Sequence, residues 1–462
     1  MTYQLVVVAN RLPVDLTTEA DGTTGWRRSP GGLVSALEPV MRSQEGAWVG
    51  WPGGAGETPP PFDADGMHLV PVGLSEDEVA DFYEGFANDT LWPLSHDVIS
   101  PPVFHRHWWE AYRRGQPPPP PGPPAPRRGG GAGWGADEPP PPPPPAIGGR
   151  LSPAVRTDYS HPFPSPPLEL FAQLPWRAQV VHGLLGADLV GFQRTGDAAN
   201  FLRVVRRWTG HRVRRDRVTI EVDGHVRHVR AGAFPISIDS RKFDEMARSP
   251  WVMARAAEIR SELGSPDVLL LGVDRLDYTK GIGHRVKAVG ELLDERRLTN
   301  PGVAFVQVAS PSRENVEAYV QLREEVELLV GRINGEHGRI GHQPIHYLHH
   351  SYPPEEMAAL YLAADVMLVT SLRDGMNLVA KEFVAASVDE TGVLVLSEFT
   401  GAADELVGAL LVNPHDIDGL KGAVERAVAM PVREQRTRMR RLRRRVLADD
   451  VARWSRRFLD AL

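Results

Sequence analysis

The chain contains no cysteine. Disulfides, thiolate metal sites and a cysteine nucleophile are therefore excluded, and the composition suits a reducing compartment. Long apolar runs are missing as well. No window approaches the roughly 18 consecutive apolar residues of a membrane span, and Leu5 to Val8 is too short, and lacks a basic leader, for a secretory signal. Nor is there a basic excess: 52 Lys and Arg stand against 59 Asp and Glu, a formal charge of −7. These absences predict a cytoplasmic protein with neither nucleic acid nor membrane among its partners. Three catalytic signatures are lacking too: a G-x-S-x-G elbow, an H-E-x-x-H pair and a complete P-loop. Proline is the exception to this scarcity, with 42 residues, 20 of them between Pro117 and Pro167.

At 462 residues the chain exceeds one compact core, and two domains is the simplest organisation. A buried-strand run, Leu5 to Val8, leads through Ala9-Asn10-Arg11-Leu12-Pro13 to Ser29-Pro30-Gly31-Gly32 and a helical spacing over Leu33 to Met41. Strand, glycine loop and helix together form an α/β unit. Residues 75 to 112 read as helical and aromatic. From 115 to about 160 the pattern gives way to polyproline and polyglycine, and regular structure is expected again from Leu168. Leu184 to Phe192 reads as a strand with a helix after it. Strands are predicted at Val268 to Val273, Ala304 to Val308, Ile345 to Leu348, Val366 to Val369 and Val393 to Leu396. Helices alternate with them, notably Arg313 to Val330, Pro354 to Ala363 and Leu378 to Ala386. That alternation predicts α/β architecture with parallel, doubly wound sheets. The expected domains are 1–235 and 236–462, the last helix being free to pack back on the first domain. Two such domains would face a central ligand cleft at the carboxyl ends of their strands. The eight arginines between Arg433 and Arg445 fit the solvated face of an amphipathic helix.

Two segments carry chemistry. Asp274-Arg275-Leu276-Asp277-Tyr278-Thr279-Lys280-Gly281 follows a strand directly and sets two cations five residues apart, an arrangement suited to a diphosphate. Internal salt bridges to Asp274 or Asp277 are the plainer alternative. In Arg373-Asp374-Gly375-Met376-Asn377-Leu378-Val379-Ala380-Lys381-Glu382, the amides of Gly375 to Leu378 open a helix and suit an anion. Asp374 is placed to accept from sugar hydroxyls, and Glu382, one turn beyond Leu378, to reach a ribose. The plainer alternative makes Asp374 an N-cap and Glu382 a surface residue. Arg11, Gly31-Gly32, Arg313, Tyr83 and Trp92 are weaker candidates singly. A bound diphosphate would be neutralised by Arg275 and Lys280, with no metal expected.

Together with Phe82-Tyr83-Glu84-Gly85-Phe86 and Leu91-Trp92-Pro93-Leu94, these motifs resemble the trehalose-6-phosphate synthases of glycosyltransferase family 20. The resemblance runs from residue 5 to 404. It implies a GT-B fold and a metal- and cofactor-free glucosyl transfer with retention. The donor would be UDP- or GDP-glucose, the acceptor glucose 6-phosphate and the product α,α-trehalose 6-phosphate. It also implies a homo-oligomer, dimer or tetramer. By motif, the donor site takes Gly31, Gly32, Arg275, Lys280, Asp374, the amides of Gly375, Met376, Asn377, Leu378 and Val379, and Glu382. The acceptor site takes Arg11, Tyr83, Trp92, Asp137 and Arg313. Arg275, Lys280, Asp374 and a histidine serve catalysis.

The departure lies in 115–167. Counting back from Glu169, the family histidine falls on Pro162, beside His161; Asp137 is the nearest match to the motif aspartate. Polyproline cannot supply the N–H groups of a central strand or helix. Composition favours a disordered insert, whereas scattered matches at Trp134, Asp137, Pro153 and Arg156 favour ordinary strands and helices whose sequence is misread here. A paralogue acting on a cyclitol or related sugar phosphate, or a non-catalytic sugar-phosphate sensor, is the alternative to a synthase.

Overall fold

The structure, a computed structural model, describes residues 5–18, 24–28, 41, 46–54, 58–114, 129–134, 155–160, 164–222, 225–314 and 316–461. The chain divides into two compact units, Met1–Ile236 with Val451–Leu462, and Ser237–Asp450. Among the described residues no helix is long and apolar enough to cross a membrane.

The first unit holds β1 (Leu5–Arg11), β2 (Val14–Thr18), β3 (Thr24–Arg28), β4 (Ala47–Trp51), β5 (Phe62–Ala64), β6 (Met67–Pro71), β7 (Gly129–Trp134), β8 (Val155–Ser160) and β9 (Leu189–Phe192). It also holds β10 (Arg212–Arg214), β11 (Arg217–Val222) and β12 (His225–Ala233). Ten of these form one sheet in the order β10-β11-β12-β9-β8-β7-β1-β4-β6-β5, and β2 pairs with β3 apart from it. The sheet is parallel from β12 to β6, with antiparallel pairs at both edges. An aromatic-rich core that includes Phe86, Trp109, Tyr112 and Phe192 packs in this unit.

Two expectations change here. Regular structure does not lapse over the whole of 115–160, because β7 and β8 sit inside that window. β7 is the run Gly129-Gly-Gly-Ala-Gly-Trp134, paired with β1 on one side and β8 on the other. Glycine is a weak strand former, but unlike proline it keeps its N–H, so this run can complete a central ladder. The segment Leu184 to Phe192 is not all strand. The helix Arg177–Leu184 ends in it, and only Leu189–Phe192 is extended.

The last helix, Val451–Ala461, belongs to the first unit. Trp454 Nε1 donates to the Phe234 carbonyl at 2.9 Å, and Phe458 meets Phe234 edge-on at 5.0 Å. Phe458 sits so close to Gly191 that a Cβ there would lie 2.4 Å from its ring. A glycine in β9 therefore makes the seat for this helix.

The second unit is a six-stranded parallel sheet of β13 (Val268–Arg275), β14 (Val303–Ser310), β15 (Ile345–Leu348), β16 (Val366–Val369), β17 (Val393–Ser397) and β18 (Leu410–Val412). Their order is β15-β14-β13-β16-β17-β18. Val268 to Val273 is a continuous apolar run, as a strand covered on both faces requires. The chain order reverses between β13 and β16, and in open parallel sheets the crevice at the carboxyl ends of such a pair is where ligands bind. The helix predicted from Arg313 begins later, at Glu317, and runs to His337. Arg313 instead adopts a left-handed backbone with φ +51° in the loop before it.

Candidate active site

Both chemistry-bearing segments of the second unit lie at the reversal. Arg275 ends β13, and the chain then turns through Tyr278–Lys280 into the helix Ile282–Asp294. Gly281 makes this turn with φ +64°, and a Cβ on it would lie 2.3 Å from the Thr370 carbonyl oxygen. The loop after β16 is thereby packed directly on the loop after β13. The Leu372 amide donates to the Thr279 carbonyl at 2.7 Å and fixes the same approach.

Across that seam Lys280 Nζ lies 2.7 Å from Asp374 Oδ2, the side chains 13% and 8% exposed. Lys280 therefore pairs with the carboxylate 94 residues away, not with Asp274 or Asp277. Burial, the largest influence, disfavours its charge, but the Asp374 and Asp277 carboxylates together outweigh it and hold its pKa above the ordinary lysine value. Asp374 Oδ2 also accepts from Asn377 Nδ2 at 3.1 Å and Ser371 Oγ at 3.4 Å. Its Oδ1 accepts from the Met376 amide at 3.1 Å. One expectation is thus modified: the Met376 amide is turned onto Asp374, because a carboxylate two residues earlier captures it in an Asx-type turn.

The helix Leu378–Ala386 is capped by Asn377, not Asp374. Asn377 holds φ +62°, and its side chain accepts from the Ala380 amide at 3.1 Å. Leu378 and Val379 are the first helical residues, whose amides have no acceptor within the helix. Gly401 guards the other side of this loop, where a Cβ would fall 2.0 Å from the Gly375 carbonyl oxygen. Further along, Glu382 Oε2 accepts from Tyr361 Oη at 2.8 Å. Burial, then the Glu382 charge, push the Tyr361 phenol well above its usual pKa, so it stays the donor.

Beneath the loop lies Arg285, fully buried. It sits 2.7 Å from Asp274 and donates to the carbonyls of Leu368 at 2.9 Å and Lys280 at 2.7 Å. Burial raises the Asp274 carboxyl to about 6 despite Arg285 and Lys280. Arg275 is half-buried at the strand end. Arg313 is not on a helix face. Its guanidinium donates to Asp277 Oδ2 at 3.0 Å and to Tyr319 Oη, with both side chains of the ion pair essentially inaccessible.

The first unit groups a second set. The Arg11 guanidinium lies 5.2 Å from the centroid of the Trp51 ring, and Trp51 meets Tyr83 at 5.2 Å. Tyr83 is carried on a π-helical stretch, Val79–Leu91, and Asn88 Nδ2 donates to its carbonyl at 2.8 Å. π-Helical turns occur frequently at functional sites. Trp92, buried just after it, packs on His96 at 4.1 Å. Gly31, Gly32, Asp137 and His161 lie outside the described residues.

Sequence reasoning missed Trp51, Tyr361, Arg285 and the Asp277–Tyr319 partnership. Arg285, five residues past Lys280 in a helix-forming stretch, carried a usable signal: a basic residue in the first turn opposes the helix dipole and needs a compensating reason. Among the described residues Asp294, Glu336 and His337 bring potential metal ligands together. They are largely exposed, and the 2.7 Å ion pair of His337 with Asp294 accounts for the grouping.

Comparison with known proteins agrees with this geometry. The family model for glycosyltransferase family 20 matches residues 3–116 and 154–462. The trehalose-6-phosphate synthase of Mycolicibacterium smegmatis is 52% identical over 466 aligned residues, spanning 100% of this chain and 92% of that protein. The Mycobacterium avium enzyme of the same name is 54% identical, spanning 99% and 94%. A crystal structure of an α,α-trehalose-phosphate synthase from Burkholderia xenovorans in complex with glucose-6-phosphate superposes with a TM-score of 0.86 at 30% identity, covering 99% of both chains. An E. coli structure bound with UDP-2-fluoro glucose gives 0.84 at 29% identity, covering 99% of this chain and 98% of that one. The expected α/β architecture of the GT-B class is the one observed, and the chain belongs to glycosyltransferase family 20.

Proposed function

We infer that this chain transfers glucose from a nucleoside diphosphate glucose, UDP- or GDP-glucose, to glucose 6-phosphate. The products are α,α-trehalose 6-phosphate and the nucleoside diphosphate, with the anomeric configuration retained. The observation that carries the reading is the buried Lys280–Asp374 pair at the reversal between β13 and β16. It sets a permanent cation and a hydrogen-bond-accepting carboxylate side by side where a nucleotide sugar is expected to lie. Relatives that share the sequence throughout carry the name of this activity.

In this reading Arg275 and Lys280 hold the donor diphosphate, as a forked donor and a point charge respectively. By motif, Gly31 and Gly32 belong to the same donor site. Asp374 takes hydroxyls of the donor glucose. The amides around Gly375, Met376, Asn377, Leu378 and Val379 hold sugar and phosphate, and Glu382, oriented by Tyr361, takes the ribose. Arg11, Tyr83 and Trp92, with Asp137 and Arg313, receive glucose 6-phosphate. His161 stands for the family histidine.

Transfer with retention lets the leaving diphosphate accept the proton of the acceptor hydroxyl on the face it departs from. The main electrostatic task is then to stabilise charge growing on that diphosphate, which two preorganised cations perform without a cofactor. The reading takes the enzyme to be cytoplasmic and a homo-oligomer, dimer or tetramer. Its test is nucleoside diphosphate release from UDP-glucose and GDP-glucose, with and without glucose 6-phosphate. Acceptor-dependent release with one donor is expected; none with either donor sinks the reading.

A further inference from the structure

Asp277 lies in the loop that carries Lys280, yet no motif reading gives it a ligand. Its two oxygens face two different partners. Oδ1 accepts from the Thr279 amide at 2.9 Å and from Thr279 Oγ1 at 2.8 Å. Oδ2 accepts from Arg313 at 3.0 Å and from Tyr319 Oη at 3.2 Å. Tyr319 in turn accepts from Arg313, whose guanidinium also lies 5.3 Å from the centroid of its ring. Tyr278 packs on the same ring at 5.3 Å.

We propose that Asp277 is a positioning residue that ties the acceptor-binding cation Arg313 to the donor-binding loop through the two ends of one carboxylate. The inference rests on the donor and acceptor roles given above. A carboxylate is a rigid plane, so the aim of Arg313 and the fold of Thr279-Lys280 are set by one body. The loop is fixed further by the Lys280 amide donating to the Asp277 carbonyl at 3.0 Å and by Leu372 donating to Thr279. Burial alone would raise this carboxyl, but Arg313, Lys280 and Arg275 bring it down to about 2. Asp277 is therefore an anion at every working pH, and the three cations around it include both proposed diphosphate ligands. The left-handed backbone of Arg313 fits the same purpose, since it turns the side chain back toward β13 before the helix Glu317–His337 begins. A cation that makes its contact this way is aimed before the substrate arrives, which lowers the ordering cost of binding.

The test uses the full chain and separates the two ends of the carboxylate. Tyr319→Phe deletes one hydroxyl on the Arg313 side, and Thr279→Val one hydroxyl on the loop side. The Thr279 hydroxyl donates to the Asp277 carboxylate, and the Tyr319 hydroxyl both donates to it and accepts from Arg313, so each variant should change KM by about tenfold or more. Tyr319→Phe should raise KM for glucose 6-phosphate and leave the donor KM in place; Thr279→Val should do the reverse. Asp277→Asn keeps an oxygen for Thr279 and loses the charge that holds Arg313. It should raise both KM values, the acceptor's by about tenfold or more. Circular dichroism and thermal unfolding identify the folded variants. A purely structural Asp277 would lower the melting temperature of all three and move neither KM selectively. That outcome, or a shift of both KM values by either single-hydroxyl variant, overturns the proposal. If Asp277→Asn fails to fold, the two hydroxyl variants decide. Wild-type enzyme without acceptor-dependent release would instead remove the functional reading, and this inference with it.

Discussion

Replacing Lys280 with methionine removes a charge and keeps most of the apolar stem, and its two consequences can be measured apart. The first concerns stability. Nζ lies 2.7 Å from an Asp374 oxygen, with both side chains largely buried, so the substitution takes away the ammonium partner of that carboxylate. Removing one member of a buried pair costs about 3–5 kcal/mol. The Met376 amide, Asn377 and Ser371 continue to donate to Asp374, which puts the expected loss at the lower end, roughly 3 kcal/mol. The second concerns rate. Lys280 is proposed to stabilise charge growing on the leaving diphosphate, and losing one preorganised donor of that kind lowers kcat by about 10²–10³, or about 2.7–4 kcal/mol. Steady-state nucleoside diphosphate release gives kcat and KM, and thermal unfolding of the same samples gives the folded fraction at the assay temperature. A folded variant whose kcat stays within tenfold of wild type would refute the assignment, whatever its melting temperature. Because the lysine pKa is raised, its charge contributes no limb to the wild-type pH profile below the ordinary lysine range.

Other outcomes follow from the same geometry. Asp274 has a carboxyl raised to about 6 against an ordinary 3.8, so between these values the folded state binds the extra proton and stability falls as pH rises. Asp274→Asn removes that slope: its destabilisation relative to wild type, read by urea unfolding, should be about 1 kcal/mol smaller at pH 7 than at pH 5. An equal penalty at both pH values would contradict the raised carboxyl. Gly281→Ala meets both a left-handed backbone and a carbonyl 2.3 Å from the new Cβ, so a loss of about 2 kcal/mol or more and a sharply raised donor KM are expected. Wild-type donor KM in that variant would mean the turn is not part of the site. Phe458→Ala empties a fully buried position in the last helix and should cost about 3–5 kcal/mol, measured by denaturant unfolding. A loss under 1 kcal/mol would show that the helix does not complete the first unit's core. Mass-spectrometric peptides across 115–167 are expected to depart from the proline run as written, and peptides that match it would establish a genuine insert.

The parts of this molecule that the sequence disclosed are those where the side chains repeat the backbone's period. β13, β14, β16 and β17 are mostly apolar runs, broken only by Gln307 in β14 and by polar residues at the ends of β13, β14 and β17, and each is visible within a residue or two. The Asp374-to-Glu382 junction was visible because strand end, glycine and helix start follow in order. β7 was not, because five of its six residues are Gly or Ala and carry no pattern. Its place comes from pairing with β1 and β8, which is tertiary. The π-helical stretch around Tyr83 has the same aromatic spacing as an ordinary helix and differs only in its hydrogen bonds. At the site, the identities were legible and the partnerships were not. Lys280 and Asp374 lie 94 residues apart, Asp277 and Arg313 36 apart, and Tyr361 and Glu382 21 apart, so no local rule joins them. Arg313 looks helical from its neighbours, whereas it sits in a left-handed loop tied to Asp277 and Tyr319.

The return of Val451–Ala461 to the first unit has a consequence for how the chain is made. Synthesis proceeds from the N-terminus, and the second unit, 237–450, is complete before the residues that seat on Gly191 and Phe234 have been translated. Through that interval β9 and the segment after β12 stand with the groove for Phe458 and Trp454 open. The first unit is therefore the last to close, and a chain halted before Val451 leaves it without this helix while the second unit is whole.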